Sequence, residues 1–453
     1  MTYSPQLFEP LTFFDMTPRF RDGSDTPRAY LERCLAVIAD REPVVKAWVV
    51  LNPSGAREAA DASTERYRRR RPISSIDGMP IGIKDLIETK DMPTGHGCAA
   101  FAGNYPRRDS AIVRALRDAG AVILGKTVTT EMGGAFPGPT TNPFDPGRTP
   151  GGSSSGSAAV IGACMVPAAI GTQVGGSLIR PASYCGNCGL KPTMGALHRG
   201  ERQGYSQSHV GVHAGSLTDM WRVAMEIARR AGGDPGHPGL FGAPDLCPAL
   251  QPARLIVMET AGWAELDAKT REGFDRILAA LRDAGVEVLS ATDDPLIEAF
   301  EHGIAEAKAI TTDICDWENR WSFENLVEQY PGKYSDTLYQ RLQAGRKLSL
   351  DDYRLRLLQR EEAKNRLAAI APLADALISL GSSGPAPHGL GSTGDSVFNS
   401  PTSILGAPAV TVPMLAIEGM PVGIQIVGQR HADARTAGIA RWLFESVKPV
   451  SVD

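Results

Sequence analysis

The sequence predicts an α/β protein whose central sheet is covered by helices on both faces and interrupted by a helical insertion. Three observations predict it. Short apolar runs alternate with amphipathic helical stretches through the first half, the pattern of a sheet with helices packed on it. Residues 235–371 then change character, becoming richer in charged helical patterns and carrying Trp263, Trp317 and Trp321. Strand signals return at 376–380, 409–412 and 422–427, and an amphipathic helix follows over 433–444. The chain reads as one domain of 453 residues. Its parts are an N-terminal helical part (1–70), a first part of the core (71–234), a helical insertion or lid (235–371) and a second part of the core (372–453). The strands on either side of the insertion have no complete sheet without one another.

The elements justify themselves in turn. Thr26 before Pro27 is an N-cap followed by proline at the first helical position, so a helix is expected through residue 39. Residues 47–51 read as a strand, and Asn52-Pro53 opens a second helix. Residues 79–83 form an apolar strand ending at Lys84. Ile112, Val113 and Leu116 mark a helix over 109–119, and 121–124 a buried strand. Residues 136–157 are rich in Gly, Pro, Ser, Thr and Asn. A structureless loop of that length inside a compact domain is uncommon unless it has a function. A small-residue helix over 158–164, a strand over 166–171 and a second glycine–serine turn follow.

Composition narrows the function. The net charge of −4 gives no global field that would favour nucleic acid or an anionic membrane. The single basic run, Arg66 to Arg71, ends a helix, where cations suit the helix dipole. No apolar stretch reaches the roughly 20 residues of a membrane helix. Seven irregularly spaced cysteines and the absence of a secretory pattern over residues 1–18 point to a reducing cytoplasm. Cys185-Gly186-Asn187-Cys188 has redox spacing but not the strand-then-helix context. No cofactor and no metal site are expected.

Two motif matches fail on context. Gly120-Ala121-Val122-Ile123-Leu124-Gly125-Lys126-Thr127 fits a phosphate-loop pattern, but its middle is a strand whose N–H groups belong to a sheet. Gly152-Ser153-Ser154-Ser155-Gly156 fits the elbow of α/β-hydrolases, which needs a strand before it. The preceding Asn142 to Pro150 holds three prolines and cannot be one. That rival would pair Ser154 with His388 or His431.

The chemistry concentrates in two small-residue turns, Gly151-Gly152-Ser153 and Gly175-Gly176-Ser177. Glycine lets the backbone approach a substrate closely, and consecutive N–H groups can hold an oxyanion. A serine hydroxyl needs a base, and Lys84, at the end of an apolar strand, is the candidate. Lysine serves as a base only when burial keeps it neutral.

These residues resemble the amidase signature family. The resemblance rests on Gly82-Ile83-Lys84-Asp85, on Thr149-Pro150-Gly151-Gly152-Ser153-Ser154-Ser155-Gly156-Ser157, and on Gly171-Thr172-Gln173-Val174-Gly175-Gly176-Ser177-Leu178-Ile179-Arg180-Pro181-Ala182. Cys188 to Thr193 and the tail from Leu405 to Gln425 continue it. It implies that fold, with a mixed sheet, and these roles: Ser177 is the nucleophile, and Ser153, on a cis peptide after Gly152, relays its proton to Lys84. Backbone N–H groups of Val174, Gly175, Gly176 and Ser177 hold the oxyanion, supported by Ser154, Thr172, Gln173 and Arg180. Gln173 stands where members usually have Asp, as in the malonamidase-type branch, and residues 204–215 are unusual for the family.

The family cleaves amides, esters and in some members carbamates through an acyl-enzyme. Met132, Gly133 and Gly134 open a loop expected to wall the pocket together with the insertion. That loop carries no charge, which points to a neutral, aryl-type amide or carbamate, and the chain resembles small amidases that include urethanases. It also resembles the A-type subunit of the tRNA-dependent glutamine amidotransferases, which works inside a larger complex. The sequence leaves monomer and homodimer open.

Overall fold

The computed structural model describes residues 2–134, 136–200 and 205–453. Of the positions singled out above, Ala135 in the pocket loop and Gly204 lie outside them. The described strands are β1 Trp48–Leu51, β2 Pro80–Lys84, β3 Val122–Thr127, β4 Ala168–Gln173, β5 Cys188–Lys191, β6 His209–Ala214, β7 Arg254–Val257, β8 Glu287–Leu289, β9 Ala376–Leu380, β10 Ala409–Ile417, β11 Met420–Val427 and β12 Val450–Val452. They form one mixed sheet in the order β1-β3-β2-β4-β6-β5-β10-β11-β9-β7-β8, with β12 paired to β10. Helices cover both faces.

Local chemistry sets the boundaries. Thr26 accepts a hydrogen bond from the Ala29 N–H at 3.1 Å and starts a helix over Pro27–Val45. Asn52 accepts from Gly55 at 3.1 Å and opens the helix Pro53–Arg68. Of the basic run that follows, Arg66 turns inward to the buried Asp77 at 2.6 Å, while Arg69 pairs at the surface with Glu65. The polar loop of residues 136–157 is ordered by its own amides: Asn142 Nδ2 donates to the Thr149 and Tyr184 carbonyls at 3.2 and 2.9 Å.

The region 235–371, expected to be a helical insertion, is a mixed segment. Its first part supplies β7 and β8, which extend the central sheet beside β9. The helix Ala268–Asp283 buries Phe274, Ile277 and Leu281 in the main core. From Pro295 to Ala369 the segment is helical. Strands of four and three residues leave too little periodicity to be seen among charged helices.

What positions the site is the centre of the sheet. β2 lies between β3 and β4 and runs parallel to both. The carboxyl ends of the three strands therefore open on one edge, where α/β sheets bind ligands. Lys84 ends β2, and the Val174 to Ser177 turn leaves β4. Beyond β3, the Val128 carbonyl accepts from the Gly156 N–H at 2.9 Å. Gly156 is required there, since a Cβ would lie 2.4 Å from the Val128 nitrogen and 2.3 Å from the Ala47 carbonyl oxygen. The phosphate-loop look-alike is β3 itself, fully buried, and Lys126 pairs with Asp85 at 3.0 Å.

Candidate active site

Lys84 is fully buried. Its Nζ lies 2.7 Å from Ser153 Oγ, 2.8 Å from Thr172 Oγ1 and 3.0 Å from Ser154 Oγ. Burial holds its pKa well below the ordinary lysine value. Ser154 directs its hydroxyl hydrogen at the Thr172 carbonyl, 3.2 Å away, and so accepts from Lys84. A neutral amine then keeps a lone pair that can take the Ser153 hydrogen. The Gly152–Ser153 peptide is cis.

The two glycine–serine turns are stitched together. Ser154 N–H donates to the Ser177 carbonyl at 3.2 Å, and the buried Arg180 donates through Nη2 to the Gly152 carbonyl at 2.7 Å. Arg180 also holds the Thr393 carbonyl through Nε at 2.8 Å. Among the described residues no protein group accepts from the N–H groups of Val174, Gly175, Gly176 or Ser177. Of these four residues, Val174 lines the chamber over Ser153. Gln173 stands behind them: its Oε1 accepts from the Leu178 and Ile179 N–H groups, each at 3.0 Å.

An inner chamber of about 50 Å³ opens over Ser153. Leu86, Met132, Gly133, Thr172 and Val174 form one wall, and Cys315, Asn319 and Arg341 from the helical segment form another. Tyr205 and Ser208 close it. Gly134 lies just outside, against Arg341. Leu86, Met132, Tyr205 and Asn319 are shared with an outer vestibule of about 360 Å³ and form the neck between the two. The Tyr205 hydroxyl hydrogen-bonds to Asn319 across that neck.

The pocket loop is uncharged, as its sequence says, but the chamber is not. Arg341 was missed because it sits on the far helix Asp336–Lys347, in a pattern indistinguishable from a solvated face. Its partner is Asp316, 2.8 Å from Nε and 2.6 Å from Nη2. The remaining candidates fall away. Neither His388 nor His431 is a hydrogen-bond partner of Ser154: His388 bridges to Arg148, and the His431 N–H is held by Thr193. Cys185 and Cys188 are buried free thiols, and burial pushes Cys188 up to about 12. Among the described residues there is no group of three or more His, Cys, Asp or Glu that could hold a metal, and no helix long and apolar enough to cross a membrane.

The family model of the amidases matches residues 29–436. The chain belongs to the amidase signature family. The A-type subunit of glutamyl-tRNA(Gln) amidotransferase from Chloroflexus aggregans is 32% identical to it, the alignment covering 91% of each chain. The corresponding protein from Salinispora arenicola is 30% identical over 94% of each. Among solved structures, an amidase superposes with a TM-score of 0.83 at 28% identity, covering 96% of this chain and all of that one. A bacterial aryl acylamidase shares the fold, with a TM-score of 0.82 at 19% identity over 96% of this chain and 95% of that one.

Proposed function

We propose that this amidase is a serine hydrolase that opens amide-type C–N bonds through an acyl-enzyme on Ser177. The observation that carries the reading is the buried Lys84, whose Nζ has serine and threonine hydroxyls as partners and lies 2.7 Å from Ser153 Oγ. Ser177 Oγ attacks the substrate carbonyl carbon. Its proton passes to Ser153 Oγ as the Ser153 proton passes to Lys84 Nζ. The oxyanion is held by the N–H groups of the Val174 to Ser177 turn. As the intermediate collapses, Lys84 returns the proton through Ser153 to the leaving nitrogen. Water then repeats the sequence on the acyl-enzyme and frees Ser177.

The substrate proposed is neutral, an aryl-type amide or carbamate. The uncharged Met132–Gly133 wall and the Asp316–Arg341 pair, which cancels its own charge, support this. A second reading is favoured by the curated relatives, which are A-type amidotransferase subunits. On that reading the chain works in an assembly and releases ammonia from glutamine.

One set of experiments separates the two. The purified chain is assayed alone on anilides, alkyl amides, aryl esters, aryl carbamates and glutamine, with gel filtration of the same sample. Turnover of neutral aryl substrates without partners supports the hydrolase. Activity confined to glutamine and dependent on added subunits would favour the assembly. A fluorophosphonate adduct mapped to any serine other than Ser177 would refute the proposed nucleophile.

A further inference from the structure

The oxyanion turn has an unusual anchor, and it comes from the other end of the chain. Ser403, buried on the short helix Ser400–Leu405, donates its hydroxyl hydrogen to the Gly175 carbonyl at 2.6 Å. The same Oγ accepts from Gln173 Nε2 at 3.0 Å. Gln173 Oε1 faces two obligate donors, the Leu178 and Ile179 N–H groups, so its amide can be turned only one way. Its nitrogen must therefore face Ser403.

That arrangement decides where the single hydroxyl hydrogen goes. A serine oxygen that accepts from an amide N–H is left with one hydrogen to give, and here the Gly175 carbonyl receives it. The Gly175 carbonyl and the Gly176 N–H belong to one planar trans peptide and point in opposite directions. Holding the carbonyl toward Ser403 aims the Gly176 N–H away from it, the direction that the reading of the turn as an oxyanion hole requires. The bond also polarises the peptide and makes that N–H a stronger donor.

We infer that Ser403 is a positioning residue for the oxyanion hole and that Gln173 sets the direction of its hydrogen bond. A carboxylate at position 173 could still accept from Leu178 and Ile179. It would also compete for the Ser403 hydrogen and release the Gly175 carbonyl. The glutamine is thus part of how this chain orients Gly176, and the role rests on the reading of the turn as an oxyanion hole.

The test uses the full chain with Ser403→Ala, Gln173→Glu and the double variant, on an activated aryl ester and an anilide. Each single variant is expected to lose about tenfold or more in kcat with little change in KM, a fraction of the 10²–10³ that follows deletion of a whole oxyanion donor. Inhibition by a trifluoromethyl ketone, which presents an oxyanion, should weaken by the same factor as kcat/KM. The double variant should be no worse than the poorer single one, because both act through one hydrogen bond. Gln173→Glu, close in shape to the original, carries the test where Ser403→Ala fails to fold, and thermal unfolding separates the two cases. Unchanged kcat and inhibition in a folded Gln173→Glu enzyme, or multiplicative losses in the double variant, would overturn the inference. Ser177→Ala is measured beside them: full activity there refutes the hydrolase reading itself, whereas an inactive Ser177→Ala with an unaffected Ser403→Ala refutes only the positioning role.

Discussion

Replacing Lys84 with methionine probes the neutral amine from two directions at once. Lysine in the unfolded chain is protonated up to its ordinary 10.5, while burial holds the folded group well below that value. Between the two pKa values the unfolded state binds one more proton than the folded state, so stability contributed at this site rises with pH. The slope is about 1.4 kcal/mol per pH unit, the free energy of one pKa unit. Methionine binds no proton in either state. Unfolding free energies from urea titrations between pH 6 and pH 10 should therefore diverge: wild type gains on Lys84→Met by about 1.4 kcal/mol per unit across the window and runs parallel to it elsewhere. The lower edge of the window is the folded pKa. Below that same pH, kcat/KM on a neutral anilide should fall tenfold per unit, and above it level off. Two parallel stability curves across the whole range, or a kinetic pKa far from the lower edge of the window, would refute a neutral Lys84.

Other outcomes follow from single contacts. Lys84→Arg should leave amide hydrolysis as low as Lys84→Met, since a guanidinium stays charged at working pH; near-wild-type turnover of an anilide would contradict the relay. Ser177→Ala should lower kcat on anilides by about 10⁴ or more and abolish fluorophosphonate labelling by mass spectrometry. Asp316→Asn removes the counter-charge of Arg341, so the kcat/KM ratio for carboxylate-bearing over neutral amides should rise about tenfold, read in a competition assay. Gly171→Ala puts a Cβ 2.8 Å from His213 Nε2 and 2.9 Å from Ser154 Oγ. It should cost about 1–3 kcal/mol in urea unfolding and slow amide turnover by displacing Ser154 from Lys84.

The parts of the site that were legible in the sequence are those whose chemistry is out of place locally. A lysine ending Pro80-Ile81-Gly82-Ile83 and serines inside glycine turns contradict their surroundings, and such contradictions mark functional positions. Several strands were legible for a similar reason: β2, β3, β9 and β11 are apolar runs bounded by turn residues, whereas β5 and β6, in the middle of the sheet, were not expected. Arg341, Thr393 and Ser403 carry no such mark. Each is an ordinary residue in its own helix or loop and gains meaning only from a partner far along the chain. The Ser403 contact with Gly175 spans 228 positions. β7 and β8 escaped because they are short and their neighbouring helices dominate the pattern.

That span also fixes an order of events during synthesis. β5 pairs with β10, from the last part of the chain, and the donor that the described residues offer the Gly175 carbonyl is Ser403. Translation at about 5–20 residues per second puts on the order of 10–50 s between the emergence of Gly175 and that of Ser403. Through that interval the nascent chain carries Lys84, Ser153 and Ser177 without the peptide orientation proposed to complete the oxyanion hole. A ribosome-bound chain stalled before residue 400 should therefore react more slowly with a fluorophosphonate than one extended past the last strand. On the proposed reading, the full hydrolytic capacity of the chain arrives only when most of the polypeptide has been made.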